Sequence, residues 1–228
     1  FIKSDKRISS EVITLAIPII FSHLSRVVMG LTDMAMVSRL GAVALAATGM
    51  GSLLLWVIMS MGIGLRTAVQ TVTSRRLGQK LFPECGHALH NGVILSVILA
   101  IPATLLGTYY AVEIVELFLQ DPEVIPQCAN YLYVGFYGIC FVLTGFVFQG
   151  FYTGVEQTKI HMKVTIVSNV INVYLNAGLI YGTDGVTAFF EKNGLPWIAV
   201  LWQWYDFPAM AVKGAALATV IASGWMVT

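Results

Sequence analysis

Few side chains in this sequence have the chemistry to bind or transfer anything, and most of them fall on two stripes. His23, Arg26, Gly30 and Asp33 stand at i, i+3, i+7 and i+10, which lines them up along one side of a helix. Asn169, Asn172 and Asn176 repeat at i, i+3 and i+7 in SNVINVYLNAGLIYG and make a second stripe. Both lie inside long apolar runs, where an ionisable group at bilayer depth costs on the order of 2.5 to 3.5 kcal/mol. The stripes are therefore expected to face a polar interior and not lipid. Asp33 stands about five residues from the end of its run. A carboxyl withdrawn from water is harder to ionise, so it can take up or release a proton, or bind sodium. The alternative is an ion pair with Arg26 that fixes packing and carries nothing. Their seven-residue separation is ~10 Å along the axis, so only side chains extended toward each other would meet. Arg26, near mid-helix, is either a structural partner or a group lining a cavity. Arg66, nearer the end of its own run, is expected to snorkel to the surface. His23 is a candidate proton relay.

The asparagine stripe has two readings. Carboxamides in lipid bond across helices as plain glue, worth ~0.6 to 2 kcal/mol per contact. Three on one face also suit a sodium ion, which takes hard oxygen ligands, or a hydrogen-bonded acid such as Asp33. Enzyme chemistry is not expected. Glu84, Cys85, His87 and His90 match no zinc spacing and read as a surface cluster. Ser22, His23 and Asp33 are not spaced as a triad, and no Walker motif is present. GMG and GIG lie within apolar helix and are no phosphate loop. Cys85, Cys128 and Cys140 lack CxxC spacing and read as buried thiols. No cofactor is expected beyond H+ or Na+ as a coupling ion.

The elements that must position these residues follow from composition. The chain has 228 residues, 57% apolar and 11% charged, with a mean hydropathy of +0.79. A soluble domain carries about 25% charged residues, so membrane is the expected solvent. Thirteen basic residues against twelve acidic ones leave no footprint for nucleic acid. Long apolar stretches place about six spans at 11–38, 44–74, 88–112, 126–153, 161–182 and 213–228, the last truncated. The five complete ones are long enough to cross ~30 Å of hydrocarbon. The expected fold class is all-α, a polytopic membrane helical bundle; the alternation of an outer-membrane barrel is missing. Pro18 and Pro102 interrupt two of the spans and permit bends. The first span is too long and too charged for a secretory signal.

Basic residues set the orientation. Lys3, Lys6, Arg7, Arg75, Arg76, Lys80, Lys159 and Lys163 fall on one side, and Arg39, Lys192 and Lys213 on the other. The positive-inside rule then puts the amino terminus in the cytoplasm of an integral plasma-membrane protein, inner membrane in a Gram-negative cell. The connection 183–212 carries Trp197, Trp202, Trp204 and Tyr205, amphipathic aromatics expected at headgroup level. It reads as a surface anchor or as a lid over an outer vestibule. The chain opens at Phe1 and stops at Thr228 inside a short apolar run, so it reads as a piece of a longer protein.

Several segments together resemble one family. MGLTDMAMVSRLGAVALAATGMG, AVQTVTSRRLGQ, FQGFYTGVEQTKIHM, and NVINVYLNAGLIYG followed by VKGAALAT are similar, in this order, to multidrug and toxin extrusion (MATE) transporters. The likeness runs from about residue 9 to the end. It implies a twelve-helix architecture in two pseudosymmetric lobes, of which residues 1–228 are the amino-terminal one. It also implies a cation-coupled (H+ or Na+) secondary antiporter exporting drugs or other amphipathic compounds by alternating access. The implied coupling residues are Asp33, Asn172 and Asn176, with His23, Arg26, Asn169 and Thr219 as cavity-lining candidates. The expected partners are membrane lipid, a cationic or amphipathic small molecule, and the carboxy-terminal lobe. Glu156 and Gln157 stand where many relatives have Gly-Asp, and His161 where Pro is common; Arg26 and Arg66 are unusual within helices. Two alternatives remain: a lipid-linked oligosaccharide flippase, which needs several basic residues facing the cavity where only Arg26 is well placed, and a non-transporting membrane assembly subunit.

Overall fold

The computed structural model describes residues 6–227; Lys3 and Thr228 lie outside them. The helices are α1 (Lys6–Ser38), α2 (Ala42–Gly78), α3 (Phe82–Tyr109), α4 (Ala111–Glu116), α5 (Val124–Gly154), α6 (Thr158–Lys192), α7 (Pro196–Ala199) and α8 (Ala211–Trp225). A 3-10 turn, Val200–Trp202, follows α7. Five helices, α1, α2, α3, α5 and α6, are long and apolar enough to cross a membrane. The chain is an integral membrane bundle, with no strand among the described residues.

Tight connections reverse the chain between neighbours. Gly41 joins α1 to α2 at φ 109, and Lys80 and Glu156 close the next hairpins at φ 61 and 62. α1, α3 and α6 therefore run one way, and α2, α5 and α8 the other. The end where α1 begins is called proximal below, and the opposite end distal.

α5 is the centre, packed on α2, α3 and α8. Leu132, Phe136, Ile139, Leu143 and Val147 recur every three or four residues along it, each at most 2% exposed, so one helical stripe forms the core seam. The α2 backbone comes so close that a Cβ on Gly150 would fall on the carbonyl of Arg66. Close approach through small residues is how helices gain dispersion contacts when the solvent is itself apolar. α1 sits at the edge, and Ile13, Ile17, Ile20, Leu24, Val27 and Leu31 stay exposed on it, as a lipid-facing surface would.

Three elements differ from the sequence reading. The helix that begins α6 does not stop at 182. It breaks at Gly182, with φ 74 and ψ 167, and helical structure resumes to Lys192. Val186 and Phe190 of the resumed piece pack beside Trp202, and that burial holds the first third of the expected loop in helix. Trp202 turns into the protein rather than out to its surface. It is 8% exposed, stacks on Tyr174 at 4.8 Å and on Phe190 at 5.8 Å, and donates its Nε1–H to the Tyr174 carbonyl at 2.9 Å. Trp197, Trp204 and Tyr205 remain exposed. Lastly, the third span ends at Tyr109, and α4 begins separately at Ala111.

Candidate functional site

The two polar stripes meet. α1 and α6 run parallel, and three hydrogen bonds tie them in register. Asn169 Nδ2 donates to Ser25 Oγ at 2.5 Å, Asn176 Nδ2 to Asp33 Oδ1 at 2.5 Å, and the Tyr181 hydroxyl to the Met36 carbonyl. Asn176 Nδ2 also donates to Asn172 Oδ1 at 3.0 Å. Asn172 Nδ2 in turn donates to Thr219 Oγ1 at 3.3 Å. One line of polar groups, Asp33–Asn176–Asn172–Thr219, thus crosses from α1 through α6 to α8.

Burial makes that line consequential. Asn172 and Asn176 are wholly enclosed, Asp33 and Thr219 half-buried. Asn176 Oδ1 is buried without a hydrogen-bond partner, although buried polar atoms are nearly always satisfied. A carboxylate and an amide that bonds it through its nitrogen while its oxygen stays unpaired therefore share one buried line, oxygens of the kind that suit a proton or a hard monovalent cation. Asp33 is not paired with Arg26. Ion pairs among the described residues are confined to the exposed Arg7–Glu11 and the longer His87–Glu84 contact.

A cavity of about 200 Å³ opens beside this line, with Arg26, Gln149, Thr165, Asn169, Asn172 and Thr219 in its wall. His23 is exposed and falls outside that lining. Arg66 is half-buried, and its Nε is buried without a partner. α2 continues to Gly78, so Arg66 stands twelve residues, ~18 Å, from that end of the helix. Gln149, 3% exposed, and His161, 5% exposed, were not foreseen as site residues. Gln149 sits in the apolar run FVFQGF, so the reasoning that marks Asp33 marks it too. Near the start of α3, the Cys85 thiol points to the carbonyls of Thr73 at 3.6 Å and Leu81 at 3.7 Å. Among the described residues no three His, Cys, Asp or Glu side chains gather as a metal site.

A polytopic helical bundle with a line of polar groups running beside a cavity has the build of one lobe of a membrane transporter. The chain belongs to the MatE family, whose model matches residues 18–177. The probable multidrug resistance protein NorM of Agrobacterium fabrum is 27% identical over 199 residues, 86% of this chain and 42% of the relative. The probable multidrug resistance protein YoeA of Bacillus subtilis is 28% identical over 212 residues, 91% of this chain and 40% of its own length. A solved outward-facing conformation of a multidrug resistance MATE family transporter of the MOP superfamily superposes with a TM-score of 0.77 at 21% identity, over 93% of this chain and 42% of that one. A MOP superfamily transporter from Pyrococcus furiosus gives 0.76 at 21% identity, over the same shares. These two likenesses concern the fold. The chain spans 40–42% of the length of these relatives and solved structures.

Proposed function

We propose that this chain is the amino-terminal lobe of a cation-coupled antiporter that exports amphipathic small molecules by alternating access. The multidrug resistance proteins it resembles support the export reading. The observation that carries the coupling reading is the line from Asp33 to Thr219, with Asn176 Oδ1 left over. In its ionised form Asp33 accepts from Asn176 Nδ2. A proton turns that carboxyl into a donor, and the acceptor available on the same amide is Asn176 Oδ1. Presenting it turns the amide over and breaks the bond to Asn172 Oδ1, which loosens α6 from its contact with Thr219 on α8. Sodium acts on the same oxygens, drawing the carboxylate and Asn176 Oδ1 together, and either ion is substrate here.

The binding of one cation thereby changes how α1, α6 and α8 hold one another. Such an ion shifts the balance of facings by its differential affinity for them. One charge crossing 100 mV supplies ~2.3 kcal/mol, about a fiftyfold bias. In this reading the amino terminus is cytoplasmic, Asp33 lies in the outer third of the plasma membrane, and a second lobe completes the cavity. The test is cation-driven efflux by the full-length protein in proteoliposomes. Asp33→Asn is expected to abolish it, and unchanged efflux would refute the site; imposing a proton or a sodium gradient alone identifies the ion.

A further inference from the structure

A separate groove of about 350 Å³ runs between the distal part of α1 and α6, and it shares no lining residue with the cavity beside the Asp33–Thr219 line. Ala35, Met36 and Arg39 stand on its α1 side. Its α6 side crosses the break at Gly182, with Ala177 before it and Val186 and Phe189 after it. Arg39 supplies the charge. It lies in the short turn between α1 and α2, and its guanidinium carbon sits 4.7 Å from the centroid of the Phe189 ring, a cation–π contact that holds the charge against the groove's own wall. Among the described residues no carboxylate lies within ion-pair distance of Arg39. Gly185, Phe189 and Lys192 follow one another at i, i+4 and i+7, so a second cation stands one turn beyond Phe189 on the same stripe. Asp184 and Glu191 fall on another stripe, ~100° round the helix, and line no part of the groove.

The turn that carries Arg39 joins two membrane-spanning helices, which places its charge at headgroup depth while the groove runs down into hydrocarbon. Two chemistries therefore meet in one slot. An acyl chain matches the alanine, methionine, valine and phenylalanine walls, and the planar fork of the guanidinium matches two oxygens of a phosphate. A soluble anion would leave the apolar walls unfilled. A zwitterionic lipid brings its own ammonium to compete for the phosphate, whereas an acidic lipid leaves the phosphate to Arg39. We propose that this groove binds one acidic phospholipid from the leaflet at the distal end, its phosphate on Arg39 and an acyl chain between α1 and α6. The bound lipid would splint the contact that the candidate site depends on. Ala177 adjoins Asn176, the partner of Asp33, and Met36 accepts the Tyr181 hydroxyl across the same contact. The inference needs no cargo and no coupling ion, so it stands apart from the efflux reading.

The test is native mass spectrometry of the delipidated full-length protein in detergent, titrated with dioleoylphosphatidylglycerol or with dioleoylphosphatidylcholine. The first lipid is expected to bind the more tightly. Arg39→Gln is expected to weaken phosphatidylglycerol binding by about tenfold, the worth of a charge-assisted contact, and to change phosphatidylcholine binding little. Arg39→Lys keeps the charge without the fork and should fall between. Ala35→Trp fills the groove and leaves Arg39 in place, so it is expected to weaken both lipids; should that variant fail to fold, the two Arg39 variants decide alone. An unchanged preference for phosphatidylglycerol in Arg39→Gln overturns the proposal, as does phosphatidylglycerol binding that a folded Ala35→Trp leaves intact. Displacement of the lipid by inorganic phosphate overturns it in favour of a soluble anion. A dimer in the same spectra that Ala35→Trp abolishes overturns it in favour of a second copy of the chain.

Discussion

An asparagine side chain can donate twice and accept twice. Asn176 uses both donors, one on Asp33 and one on Asn172, while its oxygen stays unmatched. Removing it should therefore cost more than a single contact. Asn176→Ala leaves Asp33 Oδ1 and Asn172 Oδ1 without their donor, and an unsatisfied buried group costs about 1–3 kcal/mol. The expected outcome is a lower thermal midpoint for the full-length protein in detergent, together with weakened coupling. An unchanged midpoint would mean that water or a rotated neighbour replaces the amide. The stripe itself was legible, because i, i+3 and i+7 spacing is a local property of the sequence. The stripe was already a candidate partner for Asp33; which of its three amides meets the carboxyl was not legible, because 143 residues separate Asp33 from Asn176. Arg66 stands farther from the end of α2 than its apolar run suggested, because element ends are poorly encoded by such runs.

At the scale of elements, the break in α6 shows how a membrane helix can be interrupted without stranding its backbone. Unpaired backbone groups away from water are costly. The segment before α8 supplies what the break removes. Thr183 N donates to the Phe207 carbonyl at 3.2 Å, and Met210 N donates to the Leu179 carbonyl at 2.8 Å. Thr183 Oγ1 adds two more bonds, accepting from Phe207 N at 2.8 Å and donating to the Tyr205 carbonyl at 3.0 Å. Gly182 sits at φ 74 and ψ 167, with Ala209 where a Cβ would point, a backbone region open essentially to glycine alone. Gly182→Ala is expected to destabilise the protein by about 1–3 kcal/mol, read as a drop in thermal midpoint and faster proteolysis between 183 and 210. A variant as stable and as protease-resistant as the parent would show that the break tolerates a side chain. Sequence spacing marked the aromatics of this segment and not their destination. Trp202 is amphipathic, and stacking on Tyr174 and Phe190 with a carbonyl for its N–H turns it inward instead of leaving it exposed like Trp197 and Trp204.

For the whole molecule, the bundle's orientation rests on the asymmetry of basic residues. Single cysteines placed at Gln79 and Asn193, both exposed, in a background lacking Cys85, Cys128 and Cys140, should respond oppositely to a membrane-impermeant maleimide. Gln79→Cys is expected to label only after the membrane is opened, and Asn193→Cys in intact cells; the reverse pattern overturns the proposed topology. The membrane class, the helical class and the faces of the polar stripes were determined by the sequence by itself, since they follow from transfer free energy and local periodicity. Only the tertiary structure decided that Asp33 meets Asn176, that Gln149 is enclosed in the cavity wall and that Trp202 turns inward. The physical reason is that apolar burial drives association without direction, so which polar groups face one another is settled by packing between distant segments.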